Sequence, residues 1–271
     1  MKIHSIEFAK QVRTHVLRMV HHSNASHVGS CFSIADIVAV LYVHCLNLRP
    51  DLTNWSERDR FILSKGHSCA VIYAALALKG FISMDELESY ATDGSRLMAH
   101  ISHKVPGVEF STGSLGHGLP FATGKALAAK KQGANWRVFT LLGDGEMDEG
   151  SNWEALLFAC HHRLDNLVVI IDYNKLQSLD TVANTIGLEP LEAKLSAFGW
   201  SVREVNGHDH EQLDLALSCI PWEFGKPSVL IAHTTKGKGV SFMENAIKWH
   251  YSSPNSQELS QALAELELDH A

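Results

Sequence analysis

Three apolar segments in the second half of the chain, separated by helical patterns, constrain the fold most. They are VFTLLGD at 138–144, LVVIIDY at 167–173 and PSVLIAHT at 227–234. Continuous apolar strands that alternate with helices are typical of a parallel sheet covered on both faces. The sequence therefore predicts an α/β fold with a mostly parallel sheet. In such folds ligands bind beyond the carboxyl ends of the strands.

The rest of the chain is predominantly helical in its apolar spacing. A first helix is predicted over about 5–22, and Ser33 is predicted to cap a second helix over 34–46. A long loop is predicted at 91–112, and loops of that length in a compact domain are usually functional. The remaining predictions are short strands at 60–67 and 200–206 and helices at 68–79, 84–90, 118–132, 150–162, 189–198 and 210–218.

Charge and cysteine usage exclude several classes of protein. Lys plus Arg is 23 and Asp plus Glu is 30, so the net charge of -7 argues against a nucleic-acid or anionic-membrane surface. No apolar run approaches the roughly 20 residues of a membrane span, and the N-terminus lacks a secretory signal pattern. The five cysteines contain no CxxC pair, which favours a reducing compartment. We expect a cytoplasmic protein with no membrane and no nucleic-acid partner.

Polar residues follow two of the apolar strands, each at the position where the strand ends. Gly143, Asp144 and Gly145 follow the first strand, and Asn174 follows the second. Because neighbouring parallel strands end at one edge of a sheet, we expect Asp144 and Asn174 to lie close together. Their oxygens suit Mg²⁺ or Ca²⁺, while the glycines and the following helix N-terminus admit phosphate groups. A lone GDG is a common turn, but the combination predicts a magnesium-diphosphate site.

The GDG sequence with an Asn 30 residues after its aspartate resembles the thiamine diphosphate motif. Further segments resemble the N-terminal half of transketolase over about residues 5–255, in the order that the family has them. They are NASHVGSCFSIADIVAVLY, DRFILSKGHSCAVIYAAL, PGVEFSTGSLGHGLPFATGKALA, LLGDGEMDEGSNWEAL and TTKGKGVSFMENAIKWH.

The resemblance implies one diphosphate-binding domain of the thiamine diphosphate-binding fold over residues 1–271. The pyrimidine-binding and C-terminal domains are expected on a separate chain, the C-terminal transketolase subunit, without which this chain would be inactive. The implied reaction transfers a two-carbon ketol unit from a ketose or its phosphate to an aldose or its phosphate. Thiamine diphosphate and Mg²⁺ are the implied cofactors, and Ca²⁺ or Mn²⁺ can replace Mg²⁺. The implied assembly is an α2β2 heterotetramer, with a homodimer of this chain left open.

The resemblance also assigns individual residues. The implied metal ligands are the side chains of Asp144 and Asn174 and the backbone carbonyl of Leu176. Glu149 matches an acid that links active sites across the dimer, and Glu154 matches a buried acid of the same network. The implied catalytic residues are His27, His67, His100, His250, Glu149 and Glu154. The implied cofactor-binding residues are His67, Gly113, Ser114, Leu115, Gly116, Gly143, Asp144, Gly145, Asn174, Leu176 and His250.

Several points stay open at the level of sequence. His103 could replace His100 in contacting the donor sugar, and Lys236 could face either the cofactor or solvent. The family pattern is altered at Val28, Ile101 and His117, which leaves the ketose, the aldose and the pathway undetermined. Leu115, Leu176 and Glu154 could also be packing or surface residues. The alternative functions are a 2-oxo-acid dehydrogenase α-subunit, a deoxyxylulose-phosphate synthase type of enzyme, or a non-catalytic cofactor-binding module.

Overall fold

A five-stranded parallel sheet organises the chain in the computed structural model, which describes residues 4–268. The spatial order of the strands is β1-β2-β3-β5-β4, and every neighbouring pair is parallel. This confirms the predicted α/β fold. The strands are β1 (Arg60–Leu63), β2 (Val138–Gly143), β3 (Leu167–Tyr173), β4 (Ser201–Asn206) and β5 (Ser228–His233).

Helices connect the strands and cover both faces of the sheet. Shorter 3₁₀ turns occur at Pro50–Leu52, Gly66–Ser68, Asp85–Ser89, Gly145–Asp148 and Ile247–His250. The α-helices are α1 (Ser5–Ser23), α2 (Val28–Phe32), α3 (Ala35–Val40), α4 (Cys69–Leu78), α5 (Gly118–Gln132), α6 (Gly150–His161), α7 (Val182–Thr185), α8 (Leu191–Ala197), α9 (His210–Ser218) and α10 (Ser256–Leu268). Within residues 4–268 no helix has the length and apolar character needed to cross a bilayer.

The side chains of the central strands divide between two apolar cores. Successive strand residues point to opposite faces, so Ile170 packs in one core while Val169 and Ile171 pack in the other. The first core takes its helical residues from α1 to α4, α9 and α10, and the second from α5, α6 and α8. Because both faces are buried, the strands are apolar throughout, which is why the sequence pattern identified them.

The register of the central strands positions the functional loops. Gly143 lies opposite Asp172 across β2 and β3, and Tyr173 lies opposite His233 across β3 and β5. The carboxyl ends of these three strands therefore lie level with one another. As a result, the loops that begin at Asp144, Asn174 and Thr234 leave the sheet side by side.

The structure differs from the sequence predictions at four elements. Ser33 does not cap the following helix: Ile34 occupies the N-cap, and the Ser33 hydroxyl donates to Ser30 O and Asp172. The predicted 34–46 helix is α3 followed by a π-turn at Leu41–Cys45. The predicted 60–67 strand ends at Leu63, and the predicted 84–90 helix is the 3₁₀ segment Asp85–Ser89. The helices α2, α7 and α10 were not predicted.

Candidate functional site

A cavity of about 290 Å³ lies at the carboxyl ends of β1, β2, β3 and β5. Its floor is formed by the loops that follow these strands. Its outer wall comes from the His27 turn, His100, the 113–115 loop and the His250–Tyr251 segment. The position agrees with the expectation that ligands of such sheets bind beyond the strand ends.

Asp144 and Asn174 both line the cavity and are held by backbone amides of their own loops. The Asp144 carboxylate accepts from Gly145 N at 2.7 Å and from Lys175 N at 2.5 Å, which ties the two loops together. The Asn174 Oδ1 accepts from Leu176 N at 3.0 Å. Burial, reinforced by the nearby Asp172 carboxylate, raises the pKa of Asp144 to about 7. The site thus concentrates negative charge where a cation would be stabilised.

A buried ion pair lies beneath this floor. Lys65 Nζ donates to Asp172 Oδ2 at 2.5 Å, and the Asn174 Nδ2 donates to the same oxygen at 3.0 Å. Ser33 and Thr234 hydroxyls also donate to the carboxylate of Asp172. Burial alone would raise the pKa of Asp172, but the Lys65 ammonium and these donors lower it. This network fixes the orientation of the Asn174 amide, so its oxygen faces Leu176 and the cavity.

A third buried acid, Glu146, connects the GDG turn to the TGSLG loop. Its carboxylate accepts from Gly116 N at 2.9 Å, from Gly143 N at 3.3 Å and from the Ser64 hydroxyl. Gly116 has a φ of +79°, and a Cβ on it would lie 2.6 Å from Ser151 Oγ. Only glycine fits this turn, which brings Leu115 to the cavity wall.

Four histidines form a contiguous group of rings in the cavity. The His27 ring centroid lies 5.0 Å from that of His67, 5.1 Å from His250 and 6.0 Å from His100. Burial, with His100 and two lysines nearby, lowers the pKa of His27 to about 4. Burial and the neighbouring Lys236 lower the pKa of His250 to about 3, and burial places that of His67 well below its usual range. His27, His67 and His250 are therefore neutral at pH 7.

Lys236 faces the cavity and not solvent. Its side chain is buried, and its Nζ lies 3.0 Å from Leu176 O, 3.0 Å from Gln177 O and 2.9 Å from His250 Nδ1. Burial and the positive charge of Lys65 lower the pKa of Lys236 to about 8. The Leu176 carbonyl, an implied metal ligand, is thus already oriented towards a positive charge.

Most of the implied site residues converge on the cavity. Gly116 contributes to the site through its amide, although it does not line the cavity, and Ser114 is exposed on the same loop. His103 lies outside the cavity, where its ring bonds to Ser111, so His100 is the better placed of the two. The implied residues that line the cavity are His27, His67, His100, Gly113, Leu115, Gly143, Asp144, Gly145, Asn174, Leu176 and His250.

Glu149 and Glu154 lie apart from the cavity. Both side chains are exposed in the single chain, Glu149 at the N-cap of α6 and Glu154 on its outer face. The expectation that Glu154 is buried is therefore not met within this chain, because nothing in residues 4–268 covers that face. The buried acid of the GDGEMDEG segment is Glu146.

Sequence reasoning missed several residues of the site. Lys65 and Asp172 come from different strands, and no spacing along the chain signals their pairing. Glu146 could have been suspected, because it is the acid nearest to the GDG turn. Ser30, Gln177, Ser178 and Tyr251 also line the cavity.

The donor set at the floor consists of oxygens. A carboxylate, an amide oxygen and a backbone carbonyl are the ligands that Mg²⁺ and Ca²⁺ prefer. In the part of the chain that the structure describes, no group of three or more His, Cys, Asp and Glu side chains is arranged to hold a metal. A cation at this floor would therefore complete its coordination with water or with ligand oxygens.

Comparison with known proteins identifies the family. The family model described as "Transketolase, thiamine diphosphate binding domain" matches residues 5–271. One of the two apulose-4-phosphate transketolase subunits of Phocaeicola vulgatus is 39% identical over 267 residues, which is 98% of this chain and 95% of the relative. The 6-deoxy-6-sulfo-D-fructose transketolase subunit of a Clostridium species is 39% identical over 265 residues, covering 97% and 96%.

Solved structures agree with this match. Transketolase from Leishmania mexicana superposes with a TM-score of 0.92 at 31% identity, covering 98% of this chain but 42% of that one. The chain thus corresponds to part of a full-length transketolase and to nearly the whole of the separate subunits. These matches support transketolase over the other thiamine diphosphate enzymes that the sequence left open. The chain belongs to the transketolase family, as a thiamine diphosphate-binding N-terminal subunit of the kind found in split transketolases.

Proposed function

We propose that this chain binds thiamine diphosphate together with Mg²⁺ and transfers a two-carbon ketol unit between sugars when joined by a C-terminal transketolase subunit. The observation that carries the proposal is one cavity with oxygen donors at its floor and neutral histidines along its wall. The first group suits a metal-bound diphosphate, and the second suits the hydroxyl groups of a sugar.

Three groups fit the metal. They are the Asp144 carboxylate, the Asn174 amide oxygen and the Leu176 carbonyl, which already accepts from the Lys236 ammonium. Because Mg²⁺ keeps water or phosphate oxygens in its remaining positions, three protein oxygens are sufficient. Ca²⁺ or Mn²⁺ would use the same donors. Gly143 and Gly145, which line the floor, leave room for the diphosphate to approach the backbone.

The histidines would handle protons of the sugar. When bound, thiamine diphosphate supplies an electron sink for the carbon–carbon bond that breaks. A neutral imidazole can accept a proton from a sugar hydroxyl and return it later. His27, His67 and His250 have depressed pKa values and so remain available as proton acceptors at pH 7. His100 would contact the donor sugar from the outer side of the group.

The proposed assembly is an α2β2 heterotetramer in the cytoplasm. Relatives named as transketolase subunits imply a separate second chain for those proteins. Glu149 and Glu154 are exposed on this chain and are therefore accessible to a neighbouring chain, as the resemblance requires. All five cysteines are free, which agrees with a reducing compartment.

The sugar is proposed to be a ketose and an aldose with or without a distal anionic group. The lysines that line the cavity, Lys65 and Lys236, are both buried and engaged with protein groups. An anionic group at the far end of the sugar would therefore be bound by the C-terminal subunit.

Calorimetric titration of thiamine diphosphate with Mg²⁺ tests the proposal directly. We expect binding by the chain together with its C-terminal subunit and loss of binding in Asp144→Ala. Asp51→Ala, which removes an exposed carboxylate from a surface pair, serves as the matched control and should bind normally. Ketol transfer would then be measured with phosphorylated and unphosphorylated sugars.

Two results would contradict the proposal. Equal binding by the wild type and Asp144→Ala would remove the metal assignment. Absence of binding with and without the C-terminal subunit would remove the cofactor claim for this chain.

A further inference from the structure

Tyr251 lies at the mouth of the cavity, directly after His250. Its side chain is 60% exposed, although its ring contacts two histidines of the site. The Tyr251 centroid lies 4.6 Å from that of His250 and 6.1 Å from that of His27. An exposed aromatic ring beside proton-handling residues suggests a surface that a ligand covers.

The backbone around Tyr251 is held in place. Its amide donates to Lys248 O at 3.3 Å, and the amide of His27 donates to His250 O at 2.9 Å. These bonds join the 247–251 segment to the turn that begins α2. The ring therefore projects from a fixed support, and its contacts with the histidines limit its movement.

The chemistry of the lining sets Tyr251 apart. Among the lining residues that the structure describes, most are polar, and the large apolar side chains are Leu115, Leu176 and Tyr251. Leu115 and Leu176 belong to the loops that carry the cofactor residues. Tyr251 supplies apolar surface on the histidine side, where the sugar must enter.

A tyrosine suits a sugar at such a place. A sugar presents C–H groups between its hydroxyls, and a flat ring can cover them while its own hydroxyl stays in water. In the described part of the chain, the Tyr251 hydroxyl has no hydrogen-bond partner. It is therefore free to bond to a hydroxyl or an anionic group of a ligand.

We propose that Tyr251 is a specificity-determining residue that contacts the distal, non-reacting carbons of the sugar. The inference rests on the proposed ketol transfer. The metal donors form the floor, the histidines lie along the wall, and Tyr251 lies at the mouth. A sugar whose reacting carbons lie among the histidines reaches Tyr251 only if its chain continues beyond them. Tyr251 thus favours long sugars over short ones.

The test compares long and short substrates in the enzyme reconstituted with its C-terminal subunit. Tyr251→Ala should raise the KM for a five- or six-carbon ketose about three- to tenfold, as expected for the loss of one aromatic contact. With hydroxypyruvate as donor and glycolaldehyde as acceptor, which lack distal carbons, kcat/KM should not change. Tyr251→Phe should keep most of the preference for long sugars, because it keeps the ring.

Phe224→Ala provides the matched control, since Phe224 is an aromatic residue that is 96% exposed and does not line the cavity. It should leave all kinetic constants unchanged. An equal loss of kcat/KM for long and short substrates in Tyr251→Ala would overturn the proposal and assign Tyr251 to the support of His250. Weaker subunit association in sedimentation would also overturn it, by assigning Tyr251 to the interface.

These failures are distinct from a failure of the proposed function. If the wild-type complex bound no thiamine diphosphate or transferred no ketol unit, the proposed function itself would be wrong. A wild type that is active on both substrate classes, with a Tyr251→Ala defect confined to long sugars, would support both.

Discussion

At the scale of single residues, Glu146 holds two cofactor loops together through three hydrogen-bond donors. A glutamine at this place would keep one acceptor oxygen and turn an NH₂ group towards backbone N–H groups. We expect Glu146→Gln to lower the free energy of unfolding by about 1–3 kcal/mol, as for a buried group left without a partner. Urea denaturation of the isolated chain would measure this.

The exposed neighbour Glu149 offers a control for that experiment. Glu149→Gln should change the free energy of unfolding by no more than about 0.5 kcal/mol, because its side chain is exposed. If the two variants were equally stable, Glu146 would not be the residue that joins the loops.

The buried histidines predict a dependence of stability on pH. The pKa of His27 is about 4 in the folded chain and that of His250 is about 3, against about 6.5 when unfolded. Between these values the unfolded chain binds more protons than the folded one, so their contribution to stability is lost as pH falls below about 6.5. We expect a lower free energy of unfolding at pH 5 than at pH 7.

A histidine variant isolates this effect from that of the carboxylates. His27→Asn keeps a residue that tolerates the φ of +73° and removes the titrating ring. The difference between pH 5 and pH 7 should be smaller in His27→Asn than in the wild type. An unchanged difference would mean that His27 is as easily protonated in the folded chain as in the unfolded one. Exposed His162→Gln is the control.

At the scale of elements, a buried carboxylate joins the N-terminal helices to the last loop of the site. Asp36 of α3 pairs with Arg13 of α1 at 2.6 Å and also accepts from His208 and His210. His208 accepts in turn from Thr235 N at 2.8 Å, next to Lys236. Burial opposes ionisation of Asp36, but Arg13 and the histidines hold its pKa well below its usual range.

Removing this carboxylate should have a large effect. Asp36→Ala leaves the Arg13 guanidinium buried without its partner, and we expect a loss of about 3–5 kcal/mol in the free energy of unfolding. Asp51→Ala breaks the exposed pair with Arg49 and should cost less than about 1 kcal/mol. Thermal and urea unfolding would compare the two. A loss of similar size in both variants would show that the Asp36 cluster does not support the fold.

The elements differ in how well the sequence predicted them. The central strands were predicted almost to the residue, because burial on both faces makes their apolar pattern continuous. The helix α10 was not predicted: only Ala262 and Leu266 are buried in it, so its apolar pattern is weak. Ser33 was misassigned as a cap because its hydroxyl bonds to Asp172, a contact between residues distant in sequence.

The site shows the same division. Asp144 and Asn174 could be predicted, since each follows its own strand and the strands are neighbours. The Lys65–Asp172 pair could not, because it spans β2 and depends on the strand order. Burial of Glu146 depends on Ser64 and on two glycine loops, none of which is near it in sequence except Gly143.

At the scale of the whole molecule, one face of the chain is unusually apolar. Leu157 and Phe158 on α6 are 57% and 40% exposed, close in sequence to the exposed Glu154. The proposed assembly would bury this face, since the resemblance places Glu149 and Glu154 at contacts between chains. We expect Phe158→Asp to weaken the association of subunits and to leave the fold of this chain intact.

Sedimentation velocity with the C-terminal subunit would measure that association, and circular dichroism would monitor the fold. Phe224→Asp is the matched control, because Phe224 is also exposed but lies away from α6. Normal assembly of Phe158→Asp would show that α6 is not at an interface.

The contact of Lys236 with Leu176 has a consequence for binding. Its ammonium holds the carbonyls of Leu176 and Gln177, so the loop after β3 is ordered by a cation of the chain itself. The entropy of ordering that loop is lost when the chain folds and not when a ligand arrives. The loop is thus preorganised, and the affinity for a metal-bound diphosphate is not reduced by a cost of immobilising it.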